Sequence, residues 1–164
     1  GIPSTGLRFF TVYGPWGRPD MALFLFTKAI FEGKKIDVFN YGDMTRDFTY
    51  IDDIIESIRR VINKPPTSME IKSSDKKTIN KVPHKVFNVG NSDPKTLMEY
   101  IKLIEKYTGK EARKNYLPIQ PGDVQITFAD TSKLENWIDF KPNTSIEKGI
   151  DSFVKWYKKY YGLL

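Results

Sequence analysis

Runs typical of β-strands alternate along this chain with runs typical of α-helices, and glycine or proline stands at most junctions. The β-branched and aromatic run at residues 6–13 leads into GPWGRPD at residues 14–20, which predicts a strand followed by an irregular loop. A helix is predicted over residues 22–32, with Gly33 as its C-cap. This alternation favours the α/β class, and the length favours one unit over residues 1–164.

The remaining segments continue the alternation. Further strands are predicted at residues 36–40, 46–50, 85–89 and 112–117. Further helices are predicted at residues 52–63, 95–108, 131–137 and 145–161. The last helix places its apolar side chains on one face, at Ile146, Ile150, Phe153, Val154 and Tyr157.

Local turn chemistry adds finer expectations. A Tyr-Gly-Asp turn separates the strands at residues 36–40 and 46–50, which suggests a hairpin. Residues 92–94 are expected to cap the helix that follows them, and the paired Asp52 and Asp53 to cap theirs. The lysine-rich stretch at residues 67–83 predicts an exposed loop.

Composition narrows the functional classes. The chain has no cysteine and a single histidine, His84, which we expect on the surface, so no metal site is expected. The longest apolar run, at residues 21–31, is too short to span a membrane, and no basic leader precedes it, so we expect a cytoplasmic protein. The net charge of +6 is attributed to solvated lysines rather than to a nucleic-acid surface, and it suits an anionic ligand.

Polar and aromatic residues near the irregular loops are the candidate ligand contacts: Arg18, Phe39, Arg46 and Asp123. Arginine forms paired hydrogen bonds with carboxylate or phosphate, an aspartate accepts from ribose hydroxyls, and an aromatic ring can stack on a base. The alternative is that Arg18 pairs with Asp20, that Arg46 pairs with Asp47, and that the aromatic ring belongs to the core. The residues by themselves leave both interpretations open.

Taken in order, several segments resemble the C-terminal half of extended short-chain dehydrogenase/reductases. They are RFFTVYGP at residues 8–15, RDFTYIDDI at 46–54, FNVGN at 87–91, QPGD at 120–123 and FADTSKL at 128–134. The segment WGRPDMALF at residues 16–24 is most similar to the UDP-glucuronate 4-epimerase group. The resemblance covers nearly the whole chain.

The resemblance implies the substrate-binding part of a Rossmann-type enzyme, with the last strands of the Rossmann domain included. It implies NAD as the cofactor, a UDP-sugar as the ligand and a homodimer for the full-length enzyme. The implied reaction oxidises C4 to a keto-sugar, lets the sugar rotate, and returns hydride to the other face. A UDP-glucuronate decarboxylase, a sugar 4,6-dehydratase or a stand-alone module that binds a UDP-sugar or a partner chain are the alternatives.

Two elements of the family's chemistry are not in this sequence. It contains no G-x-x-G-x-x-G turn, and no tyrosine has a lysine four residues later. We therefore expect the Tyr-x-x-x-Lys pair and its Ser or Thr helper upstream of Gly1, and no catalytic residue within the chain. Alone, the chain is expected neither to bind NAD nor to catalyse epimerisation. Because its first strand would lack neighbours, we also expect dimerisation or segment swapping.

By resemblance, Phe9 and Phe10 lie beside the nicotinamide end of NAD, although Phe9 suits the core equally. Thr11 lies near the sugar, and Arg18 faces the hexuronate carboxylate. The residues implied to contact the nucleotide are Ala22, Lys28, Val38, Phe39, Asn40, Arg46, Gln120 and Asp123. Among these, residues 38–40 line the uracil, Arg46 binds the diphosphate, and residues 120–123 close over UDP. Many relatives have an arginine where Gln120 stands, so we expect one phosphate contact to be weaker here or to be carried by Arg46 alone.

Overall fold

The computed structural model describes residues 2–67 and 83–163, and the loop predicted at residues 67–83 lies almost wholly outside this part. The strands are β1 (Ser4–Phe9), β2 (Thr11–Tyr13), β3 (Lys35–Val38), β4 (Thr45–Arg46), β5 (Phe48–Tyr50), β6 (His84–Val89), β7 (Lys95–Thr96) and β8 (Arg113–Tyr116). The helices are α1 (Ala22–Phe31), α2 (Ile51–Ile62), α3 (Leu97–Thr108), α4 (Ser132–Ile138) and α5 (Ile146–Tyr160). The predicted α/β class is confirmed. None of these helices is long and apolar enough to cross a membrane.

The strands pair mainly in parallel. Strand β1 pairs with β6, β2 with β5, and β3 with β8, each in parallel, while β4 and β7 pair antiparallel. The single strand predicted over residues 6–13 is interrupted at Phe10, whose N–H donates to the carbonyl of Val89 at 3.1 Å. The chain therefore changes partner from β6 to β5 at this point. His84 is exposed, as expected, with Nδ1 2.7 Å from the Ser4 hydroxyl.

The hairpin predicted between residues 36–40 and 46–50 is wrong. Asn40 and Tyr41 both adopt positive φ angles, 49° and 53°, and the Tyr41 N–H donates to the carbonyl of Leu117 at 3.0 Å. This turn directs the chain away from β3 instead of folding it back. Each of the two strands consequently takes a partner that is distant in sequence.

Two predicted helix caps are also wrong. Helix α3 is capped by a box in which Thr96 Oγ1 accepts the Glu99 N–H at 3.2 Å and Glu99 Oε2 accepts the Thr96 N–H at 2.9 Å. The helix starts later than predicted because Lys95 and Thr96 pair with β4. Asp52 and Asp53 lie in the first turn of helix α2, where negative charge is favourable as expected, but neither caps it with a hydrogen bond; Asp53 instead accepts the Thr144 N–H at 2.9 Å and fastens the approach to α5.

In the part of the chain that the structure describes, two apolar clusters form the core. The larger lies among α1, α3, α5 and strands β2, β3 and β5 and contains the five predicted positions of α5, all buried as expected. The smaller packs β6 against α2 and α4 through Phe87, Val89, Ile54 and Leu134. Strands β2 and β5 contribute to the larger cluster, and β2 leads into the loop at residues 14–20 described below.

Tyr13 packs directly on Gly149 in the larger cluster. A Cβ at residue 149 would lie 2.2 Å from the Tyr13 hydroxyl oxygen and 2.6 Å from the ring. Aromatic neighbours hold the Tyr13 ring, with Tyr50 and Phe48 in edge contact at centroid distances of 5.7 and 6.1 Å. Glycine at residue 149 therefore sets the separation between α5 and β2.

We expect Gly149→Ala to lower the free energy of unfolding by about 1–3 kcal/mol, because overpacking outweighs the gain in helix propensity. Urea unfolding followed by circular dichroism measures the change. Gly6→Ala is the matched control, since its Cβ would meet Val86 at an ordinary 3.4 Å. Equal stability of Gly149→Ala and wild type would contradict this account of the α5–β2 contact.

Candidate functional site

An open cleft lies where β1 ends and β2 begins. Phe9, Phe10, Thr11, Met21 and Thr127 line it, and its volume is about 400 Å³. Phe9 is 48% exposed, so the alternative that it belongs to the core is wrong. In α/β proteins, ligands bind beyond the carboxyl ends of parallel strands, which is the position of this cleft. The residues predicted to contact the cofactor or the sugar, Phe9, Phe10 and Thr11, therefore all line this cleft.

A smaller cavity of about 40 Å³ shares Thr11 and Met21 with the cleft, and Arg18 and Ala22 also line it. Its volume suits a water molecule rather than a sugar ring. Tyr13 lines it as well, and its hydroxyl has no hydrogen-bond partner among the described residues. Burial, with smaller contributions from Asp53 and Tyr50, raises the pKa of Tyr13 well above its ordinary value. This tyrosine stays protonated at neutral pH and is unsuited to act as a base.

The loop at residues 14–20 has a strained backbone held by aromatic packing. Trp16 has a φ of 62°, and its ring lies 5.2 Å from Trp156 and 5.3 Å from Tyr160 of α5. Gly14 has a φ of 142°, and a Cβ there would lie 2.6 Å from Cγ2 of Ile51. These contacts fix the path of the loop that presents Arg18.

Arg18 forms a two-point ion pair with Asp20. Its Nε lies 3.1 Å from Asp20 Oδ1 and its Nη2 2.8 Å from Oδ2, and both side chains are mostly exposed. The hydrogen bond from Arg18 lowers the pKa of Asp20. The pairing of Arg18 with Asp20, which the sequence leaves open as the alternative to a ligand contact, is therefore present. Because exposed ion pairs add little stability, an incoming carboxylate can replace Asp20 at the guanidinium.

Arg46 is more enclosed and is held at several points. Nη2 donates to Asp123 Oδ1 at 2.8 Å, and Nη1 donates to the carbonyls of Gln125 and Thr45, each at 3.0 Å. The Arg46 side chain is 18% exposed. Two residues predicted to bind the nucleotide are thus in direct contact although 77 positions separate them. The alternative pairing of Arg46 with Asp47 is wrong, because the Asp47 carboxylate accepts backbone N–H groups instead.

The linings of the cleft and the small cavity include neither the pair Arg46 and Asp123 nor the other predicted contacts, namely Lys28, Val38, Phe39, Asn40 and Gln120. Val38 is fully buried, and its carbonyl accepts the Leu117 N–H at 3.0 Å. The Asn40 amide donates to the carbonyl of Asp43 at 2.7 Å, which holds the turn after β3. Lys28 and Gln120 are exposed, on α1 and in the loop after β8. Their assignment to the nucleotide stays a prediction.

Four residues near the site were not predicted as contacts: Met21, Asp47, Gln125 and Thr127. Thr127 lines the cleft, and its hydroxyl accepts the Asp47 N–H at 3.2 Å. The sequence suggests Asp47 as an ion-pair partner of Arg46 and does not indicate that it accepts hydrogen bonds from distant backbone groups. No local pattern in the sequence indicates which backbone segments would surround it.

The family described as GDP-mannose 4,6 dehydratase matches residues 1–153, and the chain belongs to this family. The protein CapI of Staphylococcus aureus is 55% identical over 162 residues, which is 98% of this chain and 48% of that protein. A probable UDP-glucuronate 4-epimerase of Rhizobium meliloti is 47% identical over 163 residues, again 98% of this chain and 48% of the relative. The chain spans about half the length of the curated relatives it matches.

Among solved structures, the UDP-glucuronic acid 4-epimerase of Bacillus cereus, in complex with UDP-glucuronic acid and NAD, is similar with a TM-score of 0.81 and 34% identity. The match covers 98% of this chain and 46% of that chain. The resemblance drawn from the ordered loop segments is therefore confirmed.

Arg18→Gln is expected to raise the pKa of Asp20 toward its ordinary value, because the carboxylate loses the hydrogen bond that stabilises its charged form. Carboxyl NMR titration measures the midpoint. Lys34→Gln is the control: it removes the hydrogen bond that lowers the pKa of Glu32 and leaves Asp20 unchanged. An Asp20 midpoint that does not move in Arg18→Gln would show that the ion pair is not formed in solution.

Proposed function

We propose that this chain is the nucleotide-sugar-binding region of an NAD-dependent epimerase, and that the substrate is UDP-glucuronate. The observation that carries the proposal is the enclosed guanidinium of Arg46, aimed by Asp123 and by the carbonyl of Gln125. An arginine fixed in this way can form paired hydrogen bonds with phosphate oxygens without first losing conformational freedom. The likeness to UDP-glucuronate 4-epimerases supports the choice of nucleotide.

Arg46 and Asp123 take different parts of the ligand in this proposal. A diphosphate carries negative charge and hydrogen-bond acceptors, so it binds the guanidinium and is repelled by the carboxylate. Ribose hydroxyls are donors, and Asp123 accepts them. The ion pair between the two residues thus brings a phosphate contact and a ribose contact next to each other.

The acid sugar is recognised by Arg18 and Thr11: in this proposal the sugar ring lies in the open cleft that Thr11 lines, and its carboxylate meets Arg18, which lines the neighbouring small cavity. The sugar carboxylate replaces Asp20 at the guanidinium, and the Thr11 hydroxyl donates a further hydrogen bond. A neutral hexose lacks the charge that this arginine binds, so Arg18 selects the hexuronate.

The residues of this chain fit the nicotinamide end of NAD. Phe9 and Phe10 lie on the cleft of about 400 Å³ and Thr11 adds a hydroxyl, whereas the glycine-rich turn for the pyrophosphate is not in this sequence. NAD, when bound, accepts hydride from C4 of the sugar and returns it to the other face. The chain's own residues bind and orient the sugar. We assign the proton-accepting base to another part of the whole protein, which we propose is a homodimer.

A sugar 4,6-dehydratase is the second candidate, because the matching family bears that description. Such an enzyme acts on a neutral hexose and gives Arg18 no carboxylate to bind. A UDP-glucuronate decarboxylase shares the acid substrate and differs in its chemistry. A preference for the acid sugar over the neutral sugar therefore distinguishes the epimerase from the dehydratase. Product analysis with the whole protein distinguishes the epimerase from the decarboxylase.

Arg46→Ala is expected to weaken UDP binding by roughly 10- to 100-fold, the range for losing hydrogen bonds to a charged group. Isothermal titration calorimetry with UDP measures the affinity. Arg59→Ala, which removes an exposed arginine bonded to Glu56 at 2.7 Å, is the control and should bind UDP as wild type does. If the wild-type chain shows no binding at millimolar UDP, or Arg46→Ala binds equally well, the proposal is contradicted.

Arg18→Ala is expected to reduce affinity for UDP-glucuronate by about tenfold, because one charged, two-point contact is lost. Affinity for UDP-glucose should stay unchanged, which makes the neutral sugar an internal control. Competition against UDP measures both. A wild-type chain that binds the two sugars equally would rule out Arg18 as the selecting residue and would favour the dehydratase.

A further inference from the structure

A fully buried carboxylate lies at the junction between β4 and β5. Asp47 is 0% exposed. Its Oδ1 accepts the N–H of Asn91, and its Oδ2 accepts the N–H groups of Ser92 and Ala129, each at 3.0 Å. One side chain thus bonds the loop after β6 and the segment before α4, which are far apart in sequence.

The arrangement requires a carboxylate. Burying a charged group is costly unless hydrogen bonds replace its water, and these three backbone donors do so. An asparagine of the same shape has a single acceptor oxygen, and its NH₂ group would face an N–H group. Asp47→Asn therefore changes the hydrogen bonds at this point while it nearly preserves the volume.

The surrounding backbone is closely packed and partly strained. A Cβ at Gly90 would lie 2.4 Å from the Cβ of Ala129 and 3.3 Å from Asp47 Oδ2. Ser92 has a positive φ of 54°, and its hydroxyl donates to the carbonyl of Ala129 at 2.8 Å. Such a conformation persists where neighbouring bonds impose it, and the Asp47 bond to the Ser92 N–H is one of them.

The segment that Asp47 fastens also carries the partners of Arg46. The Asp47 N–H donates to Thr127 Oγ1 at 3.2 Å, the Thr45 N–H donates to the Gln125 carbonyl at 2.9 Å, and the Thr127 N–H donates to the Thr45 carbonyl at 3.1 Å. Residues 123–129 therefore run beside residues 45–47 in a fixed register. A slip of one residue would move Gln125 away from the guanidinium.

We propose that Asp47 is a positioning residue that couples the two parts of the ligand site. It holds residues 123–129 in register with β4, so that Asp123 and Gln125 aim Arg46 and Thr127 lines the cleft together with Thr11. The consequence for ligand binding rests on the proposed function. The effect of Asp47 on the register and on the Arg46 guanidinium is independent of the proposed function.

Asp47→Asn tests the proposal by amide hydrogen exchange, measured by NMR. We expect exchange at the Thr45 and Thr127 amides to become about tenfold faster or more, because a buried acceptor has been lost. Amides of Ile101 and Ile104, in the middle of α3, should keep their protection. The NMR signals of the Arg46 guanidinium should broaden or shift, since its partners are no longer fixed.

Asp53→Asn is the matched control. Asp53 is also a buried aspartate that accepts a backbone N–H, that of Thr144 at 2.9 Å, and it lies in α2, outside the site. This variant should leave Thr45, Thr127 and the Arg46 signals as in wild type. If Asp47→Asn leaves exchange unchanged, or accelerates it uniformly along the chain, Asp47 has no positioning role.

Thr127→Val covers the case in which Asp47→Asn does not fold. It removes the acceptor for the Asp47 N–H while nearly preserving the shape of the side chain. Amide exchange should accelerate more at Thr45 than at Ile101. No local change in Thr127→Val would overturn the proposal.

Calorimetry with UDP then separates the two claims. Asp47→Asn should lose about tenfold in affinity while Asp53→Asn loses none. A wild-type chain that does not bind UDP contradicts the proposed function, and the exchange data still decide the role of Asp47.

Discussion

The pairing of residues 45–47 with residues 123–129 is the contact on which the arrangement of the site depends. Three backbone and side-chain bonds set its register, and the buried Asp47 carboxylate fastens one end of it. Without this contact, Arg46 would be a surface arginine on a two-residue strand. With it, the guanidinium is enclosed, and the cleft gains Thr127 as a wall.

The two arginines of the site differ in how firmly they are held. Arg46 bonds to two carbonyls and a carboxylate and is mostly enclosed, which suits a diphosphate that all nucleotide sugars share. Arg18 lies on a loop fastened by Trp16 and is paired with an exposed aspartate. In the proposed function, a loosely held arginine suits the sugar, which is the part of the ligand that turns during epimerisation. The proposal therefore places the more rigid arginine at the nucleotide and the less rigid one near the reacting carbon.

The sequence predicts the features that are set by residues close together in the chain. The apolar face of α5, the irregular loop at residues 14–20 and the class of the fold follow from periodicity and from glycine and proline. The hairpin prediction failed because parallel strands pair with strands that are distant in sequence, and no residue near β3 indicates that its partner is β8. The prediction of the α3 cap failed because Lys95 and Thr96 pair with β4, so the helix begins only at Leu97. The role of Asp47 depends on three segments at once, which no local pattern contains.

The central claim is that Arg18 exchanges Asp20 for the carboxylate of an acid sugar while Arg46 holds the nucleotide. The most direct measurement is the NMR titration midpoint of Asp20 in the presence of saturating UDP-glucuronate or UDP-glucose. UDP-glucuronate should raise the pKa of Asp20, because the ligand takes the arginine that lowers it. UDP-glucose should leave it unchanged. An equal midpoint with both sugars, when both are bound, would contradict the account.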